Sequence, residues 1–414
     1  MSFPFHITKH VIDAQYVRDS PRATATLNPT LKLCVKKYTP IDNPKPQPGD
    51  VTIVATHGTS LLKELYEPLW EELLACSKGK GFRIRAIWIA DSTNQGASGI
   101  LNEEQLGNDT SWFDHGRDLI QMINHFRDDM PQPIMGVGHS LGATQLIFAS
   151  IYHPRLFTSL VLIEPYVKNN PIAGNGPEML AKATFRRDQW PFRKEACTKA
   201  RHAFKNWDPR VFARWTEFGY RVLPTAIYPT PTEPGAVTLT TTKHQETMMY
   251  TYMNYRKQTP VVMPGEVLDK EIIKALPERQ MTRAEPILAF KMVPHLAPSV
   301  CYISGSKSPL YKDGSHTKAA KVTGTEYGGN GGLESGQVRH EVMEGCNHNV
   351  PLESVAATSR ILGAWIQREV RMWKDSEEKM AGEWYRLAGK EKSTFPRDWL
   401  EIASSYTGKS RAKL

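Results

Sequence analysis

The sequence predicts an α/β protein: a mostly parallel central sheet flanked by helices, with an inserted, largely helical cap. Three observations lead there. Short β-rich runs alternate along the chain with stretches whose apolar residues recur at helical spacing. The runs in the middle, VTIVATHG, RIRAIWIAD, PIMGVGHS and SLVLIEP, are almost continuously apolar, as strands buried on both faces of a parallel sheet must be. From about residue 167 to 285 the alternation gives way to Trp-, Arg- and Pro-rich sequence, and it resumes at SVCYISG. With 414 residues, 40% hydrophobic and 23% charged, the chain has the material of a globular core rather than a disordered or fibrous assembly.

In chain order, FHITKHVI and LKLCVKKY alternate apolar and polar residues and suit half-exposed strands at a sheet edge. The four apolar runs follow as central strands. Between them, residues 66–77 and 112–126 carry helical periodicity, and SLGATQLIFASIYHP reads as a helix from Ser140 until His153 precedes Pro154. Residues 1–166 are thus the first part of the core and 167–285 the cap, with helices in PEMLAKATFRRDQW and ARHAFKNWDPRVFARWTEFGYRVL. Residues 286–414 complete the core with strands SVCYISG and QVRHEVM, a closing helix over about 352–373 and a tail.

No run approaches the ~20 apolar residues of a membrane-spanning helix, and the N-terminus lacks the apolar segment of a signal peptide. The expectation is a soluble intracellular protein. Five scattered cysteines, none at CxxC spacing, argue against a disulfide framework and against a zinc site; no metal and no cofactor is expected. The net charge of +9 is spread through the chain rather than gathered in a stripe, so nucleic acid is not the expected partner; an anionic small-molecule substrate, or simply the basic character of an organelle protein, accounts for it.

In GVGHSLGA, Ser140 stands between Gly138 and Gly142, directly after an apolar strand and at the start of a helix, the context of a nucleophile elbow. A serine hydroxyl needs a base, and imidazole is the usual one. His348, in EVMEGCNHNVPLE, lies after the last strand and before the closing helix, where such a base belongs; His340, inside the strand, is the weaker candidate. The acid is displaced. The turn after the penultimate strand, YISGSKSPLYKDG, offers Ser306, Lys307 and Ser308 and no carboxylate, with Asp313 further on. LVLIEPYV instead ends its strand at Glu164, where a buried carboxylate requires a partner. For a developing oxyanion, the turn after His57 and Gly58 points to the N–H of Thr59 or Ser60, and the elbow to that of Leu141.

With HG, GHSLG and GCNH in this order, the chain resembles the α/β-hydrolase superfamily over residues 51–165 and 300–367. ITKHVIDAQYVRDSPRAT, ADSTNQGASG and VTLTTTKHQE are similar, more narrowly, to a fungal group of toxin and secondary-metabolite hydrolases that includes the peroxisomal acyl-CoA hydrolase of mycophenolic acid biosynthesis. The resemblance implies a hydrolase fold and an acyl-serine mechanism. It also implies Asp after the strand where this chain has Glu164, longer by one methylene.

The C-terminal Ala412, Lys413 and Leu414 fit the small–basic–leucine form of the peroxisomal address, so the expected location is the peroxisome matrix and an expected partner is its import receptor. Peroxisomes process acyl-CoA thioesters, which makes such a thioester of a specialised metabolite the expected substrate. In the cap, Arg186, Arg187 and Arg193, with Lys194, Lys199, Arg201 and Lys205, are candidates for the CoA phosphates. Trp190, Trp207, Trp215 and Phe218 are candidates for an acyl pocket, and His57 for a substrate contact. An oxygen-ester hydrolase, and an acyltransferase or cyclase using the same acyl-serine, remain open on this sequence, as does a homodimer.

Overall fold

The structure, a computed structural model, describes residues 3–27, 29–169, 176–231, 233–253, 283–396 and 398–407. Its strands in chain order are β1 (Phe5–Asp13), β2 (Lys32–Pro40), β3 (Val51–Thr56), β4 (Ile84–Ala90), β5 (Ile134–His139), β6 (Ser159–Ile163), β7 (Gln189–Trp190), β8 (Tyr220–Val222), β9 (Val237–Leu239), β10 (Ser299–Gly305) and β11 (Val338–Met343). Eight form one sheet in the order β1-β2-β4-β3-β5-β6-β10-β11. β1 and β2 pair antiparallel, β2 joins β4 antiparallel, and the remaining strands run parallel. The sequence pattern accounts for this order. The half-exposed β1 lies at an edge, whereas every residue of β3, β5, β6 and β10 is buried.

The parallel order puts the carboxyl ends of β3, β5, β6, β10 and β11 along one rim, where open α/β sheets place their ligand sites. Helix Leu141–Tyr152 leaves that rim at once. It is buried from Leu141 through Ser150 because it packs on helix Trp112–His125: the rings of Phe113 and Phe148 lie 4.1 Å apart, and a Cβ at Gly116 would stand 3.1 Å from Gln145 O. Cutting the fully buried Phe148 back to Ala would cost ~3–5 kcal/mol and loosen the element that aims Ser140.

The chain divides into two compact units, Met1–Gln367 and Arg368–Leu414. The cap segment belongs to the first. It contains helices Gly176–Phe185, Arg193–Ala203, Pro209–Phe218 and Lys243–Met248 and a feature absent from the sequence reading, a small antiparallel sheet in the order β7-β9-β8. These strands are two or three residues long, too short for an alternating pattern to declare itself. Helix Val355–Glu383 begins the closing segment and runs further than expected. The second unit also holds helices Gly389–Lys392 and Trp399–Thr407. Among the described residues no helix is long and apolar enough to cross a membrane.

Candidate active site

His139 of β5 lies opposite Ile163 of β6, so the next residues, Ser140 and Glu164, leave the sheet side by side. Both do so with positive φ, 54° and 50°. With Ser60, at 58°, they are the non-glycine residues of positive φ among the described residues, and all three sit at this rim. Such conformations cost of order 1–3 kcal/mol each and persist where the surroundings impose them. Here the Ser140 N–H donates to Ile163 O at 2.9 Å and the Glu164 N–H to Ile303 O at 2.8 Å. The glycines flanking Ser140 are dictated by close approach: a Cβ at Gly138 would lie 2.6 Å from Ala143 Cα, and one at Gly142 2.6 Å from His57 O.

His348 enters from the loop after β11. Its Nε2 is 2.8 Å from Ser140 Oγ and its Nδ1 2.8 Å from Glu164 Oε2. Glu164 is fully buried, and burial alone would raise its pKa. The hydrogen bond from His348, together with that from the hydroxyl of Ser308, outweighs burial and holds the carboxyl below the ordinary range. Two further donors fix it: the Gly305 N–H to Oε1 at 2.6 Å and Ser308 Oγ to Oε2 at 2.5 Å. Asp313 stands apart, accepting the Ser315 N–H at 2.9 Å. His340 does not approach Ser140. Its Nε2 is 2.9 Å from Ser304 Oγ, which is 2.9 Å from Nδ1 of His316, behind the carboxylate.

The turn after β3 closes against Ser140, for a Cβ at Gly58 would be 3.2 Å from Ser140 Cβ. Among the described residues no acceptor takes the N–H of Thr59 or of Leu141. The expectation for Ser60 is corrected. Its N–H donates to Gln95 Oε1 at 2.6 Å and is spent on holding the turn. His57 is corrected as well. Its Nε2 accepts the Ser92 N–H at 3.2 Å and its Nδ1 donates to Gly58 O at 2.9 Å. Burial lowers its pKa and keeps it neutral, so it is a support of the loop with no ring nitrogen left for a substrate.

The match to known families decides what this rim belongs to: the model of the alpha/beta hydrolase family fits residues 53–360. The chain belongs to the α/β-hydrolase family. Curated relatives include the type I acyl-CoA thioesterase mpaH of Penicillium roqueforti (strain FM164), 34% identical over 96% of this chain and 95% of that protein. The protein of the same name from Penicillium brevicompactum is 35% identical over 92% and 95%. Among solved structures, the peroxisomal α/β-hydrolase Lpx1 of Saccharomyces cerevisiae superposes with a TM-score of 0.67 over 99% of both chains at 16% identity, a likeness of fold.

The cap of this α/β-hydrolase departs from the sequence reading. Arg186 pairs with Glu246 at 2.5 Å and Arg187 with Glu195 at 2.7 Å, while Arg193 donates to the carbonyls of Thr216, Glu217 and Tyr220 at 3.1, 3.3 and 2.9 Å. Two of these side chains meet carboxylates and the third meets backbone carbonyls, all within the cap, so the phosphate cradle expected of them is corrected to internal bracing. The tryptophans are its core: Trp190 meets Tyr220 edge-on at 5.5 Å, Trp207 stacks on Phe204 at 4.0 Å, and Trp215 meets Phe204 at 4.9 Å. Trp190 also lies under the Arg187 guanidinium. Sequence reasoning missed Ser308, Tyr66, His139 and His316 as members of the hydrogen-bonded surroundings. Ser308 had a signal, since it occupies the turn where a carboxylate was sought. Ala412, Lys413 and Leu414 lie outside the described residues.

Proposed function

We propose that the protein is a serine hydrolase that cleaves the CoA thioester of a specialised metabolite through an acyl-serine intermediate, in the peroxisome. The observation that carries the reading is the continuous hydrogen-bonded line from Ser140 through His348 to Glu164, in a chain whose relatives at 34% and 35% identity are named acyl-CoA thioesterases.

Ser140 Oγ attacks the thioester carbonyl while His348 Nε2 takes its proton. The negative charge on the carbonyl oxygen is met by the N–H groups of Thr59 and Leu141, the latter at a helix N-terminus that favours an anion. Collapse breaks the carbon–sulfur bond, and the imidazolium returns the proton to the departing CoA sulfur. Water, deprotonated by His348, then attacks the acyl-serine, and Ser140 leaves with the proton. Throughout, Glu164 holds Nδ1–H and stabilises the imidazolium. The location rests on the tripeptide Ala412, Lys413 and Leu414, the form of a receptor-read address.

The test is product analysis with a panel of acyl-CoAs, following free thiol and free acid. Wild-type protein is expected to release both in equal amounts and Ser140→Ala to lose ~10⁴-fold or more in kcat. Ester hydrolysis without thioester hydrolysis, or acyl products other than the acid, would replace this reading with that of an esterase or an acyltransferase. For the location, an N-terminal fluorescent fusion is expected to be punctate and to turn cytosolic when residues 412–414 are removed.

A further inference from the structure

Tyr66 and His139 touch neither Ser140 Oγ nor the carboxylate of Glu164, yet they connect the two loops that meet at the nucleophile. His139 Nε2 lies 3.0 Å from the backbone carbonyl of His348, which can only accept, so Nε2 carries the hydrogen. Burial first, and then the neighbouring His348, push the His139 pKa down to about 3, so its ring is neutral and Nδ1 is a bare acceptor. Tyr66 Oη is 2.8 Å from that Nδ1 and must donate to it. Its lone pair accepts the Gly58 N–H at 3.0 Å. Burial raises the phenol well above its usual pKa, so the hydroxyl keeps its proton. Every direction in the chain of bonds is therefore set, from the Gly58 N–H through both side chains to the His348 carbonyl.

We propose that Tyr66 and His139 are positioning residues: their relay holds the loop of Gly58 and Thr59 and the loop of His348 in one fixed relation to Ser140. The inference rests on the serine-hydrolase reading above. His139 belongs to β5 and precedes Ser140, so it is the rigid reference to which both loops are tied. At one end the bond falls on Gly58, where an added Cβ would stand 3.2 Å from Ser140 Cβ and which precedes the unpaired Thr59 N–H. At the other it falls on the main chain of the base itself. A packing role would need only the two rings. The hydroxyl and the imidazole tautomer matter only if the relay sets geometry, and a displacement of one ångström at a reacting group costs of order 10²-fold in rate.

A decyl fluorophosphonate probe tests this without requiring the natural substrate. Ser140 Oγ bonds to phosphorus as the P–F bond breaks, fluoride leaves, and His348 takes the proton. The reaction thus calls on the base and on donors to the phosphoryl oxygen, and not on CoA. Tyr66→Phe keeps the ring and removes the hydroxyl. His139→Asn keeps an acceptor for Tyr66 near the place of Nδ1 and loses the donor to His348. Each is expected to lower the first-order labelling rate kinact about tenfold or more while KI moves less than about twofold. The double variant is expected to fall no more than about threefold below the weaker single one, because one relay is broken in all three. Thermal melts establish that each variant is folded, and either single variant alone suffices for the comparison. A folded single variant that labels at the wild-type rate, or two losses that multiply, would overturn the proposal. Ser140→Ala separates the two readings: if it still labels at the active site, the serine mechanism falls and the relay with it. If it does not label while Tyr66→Phe reacts normally, only the relay falls.

Discussion

Ser308 Oγ donates to Glu164 Oε2 across 2.5 Å, from the very turn in which a carboxylate was sought and not found. Placing the carboxylate at the end of β6 has not emptied that turn of purpose. It now supplies a hydroxyl there, beside the Gly305 N–H, to a buried negative charge. A hydrogen bond to a charged group contributes ~1.5–3 kcal/mol, so Ser308→Ala is expected to lower kcat for an acyl-CoA by about ten- to hundredfold. Pairing Ser308→Asp with Glu164→Ala should regain part of the activity that Glu164→Ala loses, since it returns the acid to the commoner position. An unchanged kcat in Ser308→Ala would show the hydroxyl to be incidental.

Glu164 itself separates charge from reach. Glu164→Gln retains the shape but removes the charge that stabilises the imidazolium, and a loss of roughly 10³- to 10⁴-fold in kcat is expected by analogy with serine proteases. Glu164→Asp keeps the charge and draws it back by one methylene from Gly305, Ser308 and His348 together. Because its three partners are anchored on different elements, an intermediate loss of about 10- to 100-fold is expected. Asp313→Asn should alter kcat by less than about threefold, as its carboxylate is occupied with Ser315. Steady-state kinetics on the three variants decide the matter; a crippled Asp313→Asn beside a silent Glu164→Gln would relocate the acid.

What could be read from the sequence was what depends on near neighbours. Apolar runs marked the central strands, and a serine between glycines at a strand-to-helix junction marked the elbow. His348 and Glu164 were readable because strand ends along one parallel sheet share a rim, so order along the chain implies proximity. The fates of other groups depended on partners far away in sequence. Ser60 loses its N–H to Gln95, Arg186 its charge to Glu246, and Arg193 its donors to the end of helix Pro209–Phe218. No local pattern announces such pairings. Tyr66 carries no signal at all, since its two partners are the end of β5, at His139, and the turn after β3, at Gly58.

The bracing of the cap changes what its arginines should do. Arg193 donates to the carbonyls of Thr216 and Glu217 at the C-terminal end of helix Pro209–Phe218, which a cation stabilises both by hydrogen bonding and through the helix dipole. Arg193→Ala is therefore expected to destabilise the protein by roughly 1–2 kcal/mol, seen as a lower Tm. It should change KM in equal proportion for an acyl-CoA and for the same acyl group on a short neutral thiol. A KM rise confined to the CoA substrate, with no change in Tm, would reinstate Arg193 as a phosphate ligand.

Buried neutral histidines make stability fall with acid. Burial, ahead of any neighbouring charge, lowers His115 and His139 to about 3 and His316 to about 4, whereas in the unfolded chain a histidine titrates near ~6.5. Between those values the unfolded state binds protons that the folded state refuses, so stability is full above about pH 6.5 and declines as pH falls toward 4. Glu164, held below the ordinary carboxyl range, adds to the same trend at lower pH. Each such histidine contributes up to about 1.4 kcal/mol per pH unit within the window. Thermal melts from pH 7.5 to 5 should therefore show Tm dropping increasingly steeply below about 6.5. His316 donates to Pro165 O and accepts from Ser304, so His316→Gln should lower Tm at pH 7.5 yet make its fall toward pH 5 shallower by about one histidine's share. A Tm constant over that range would mean that these imidazoles take up protons in the folded protein, and that their burial does not hold them neutral.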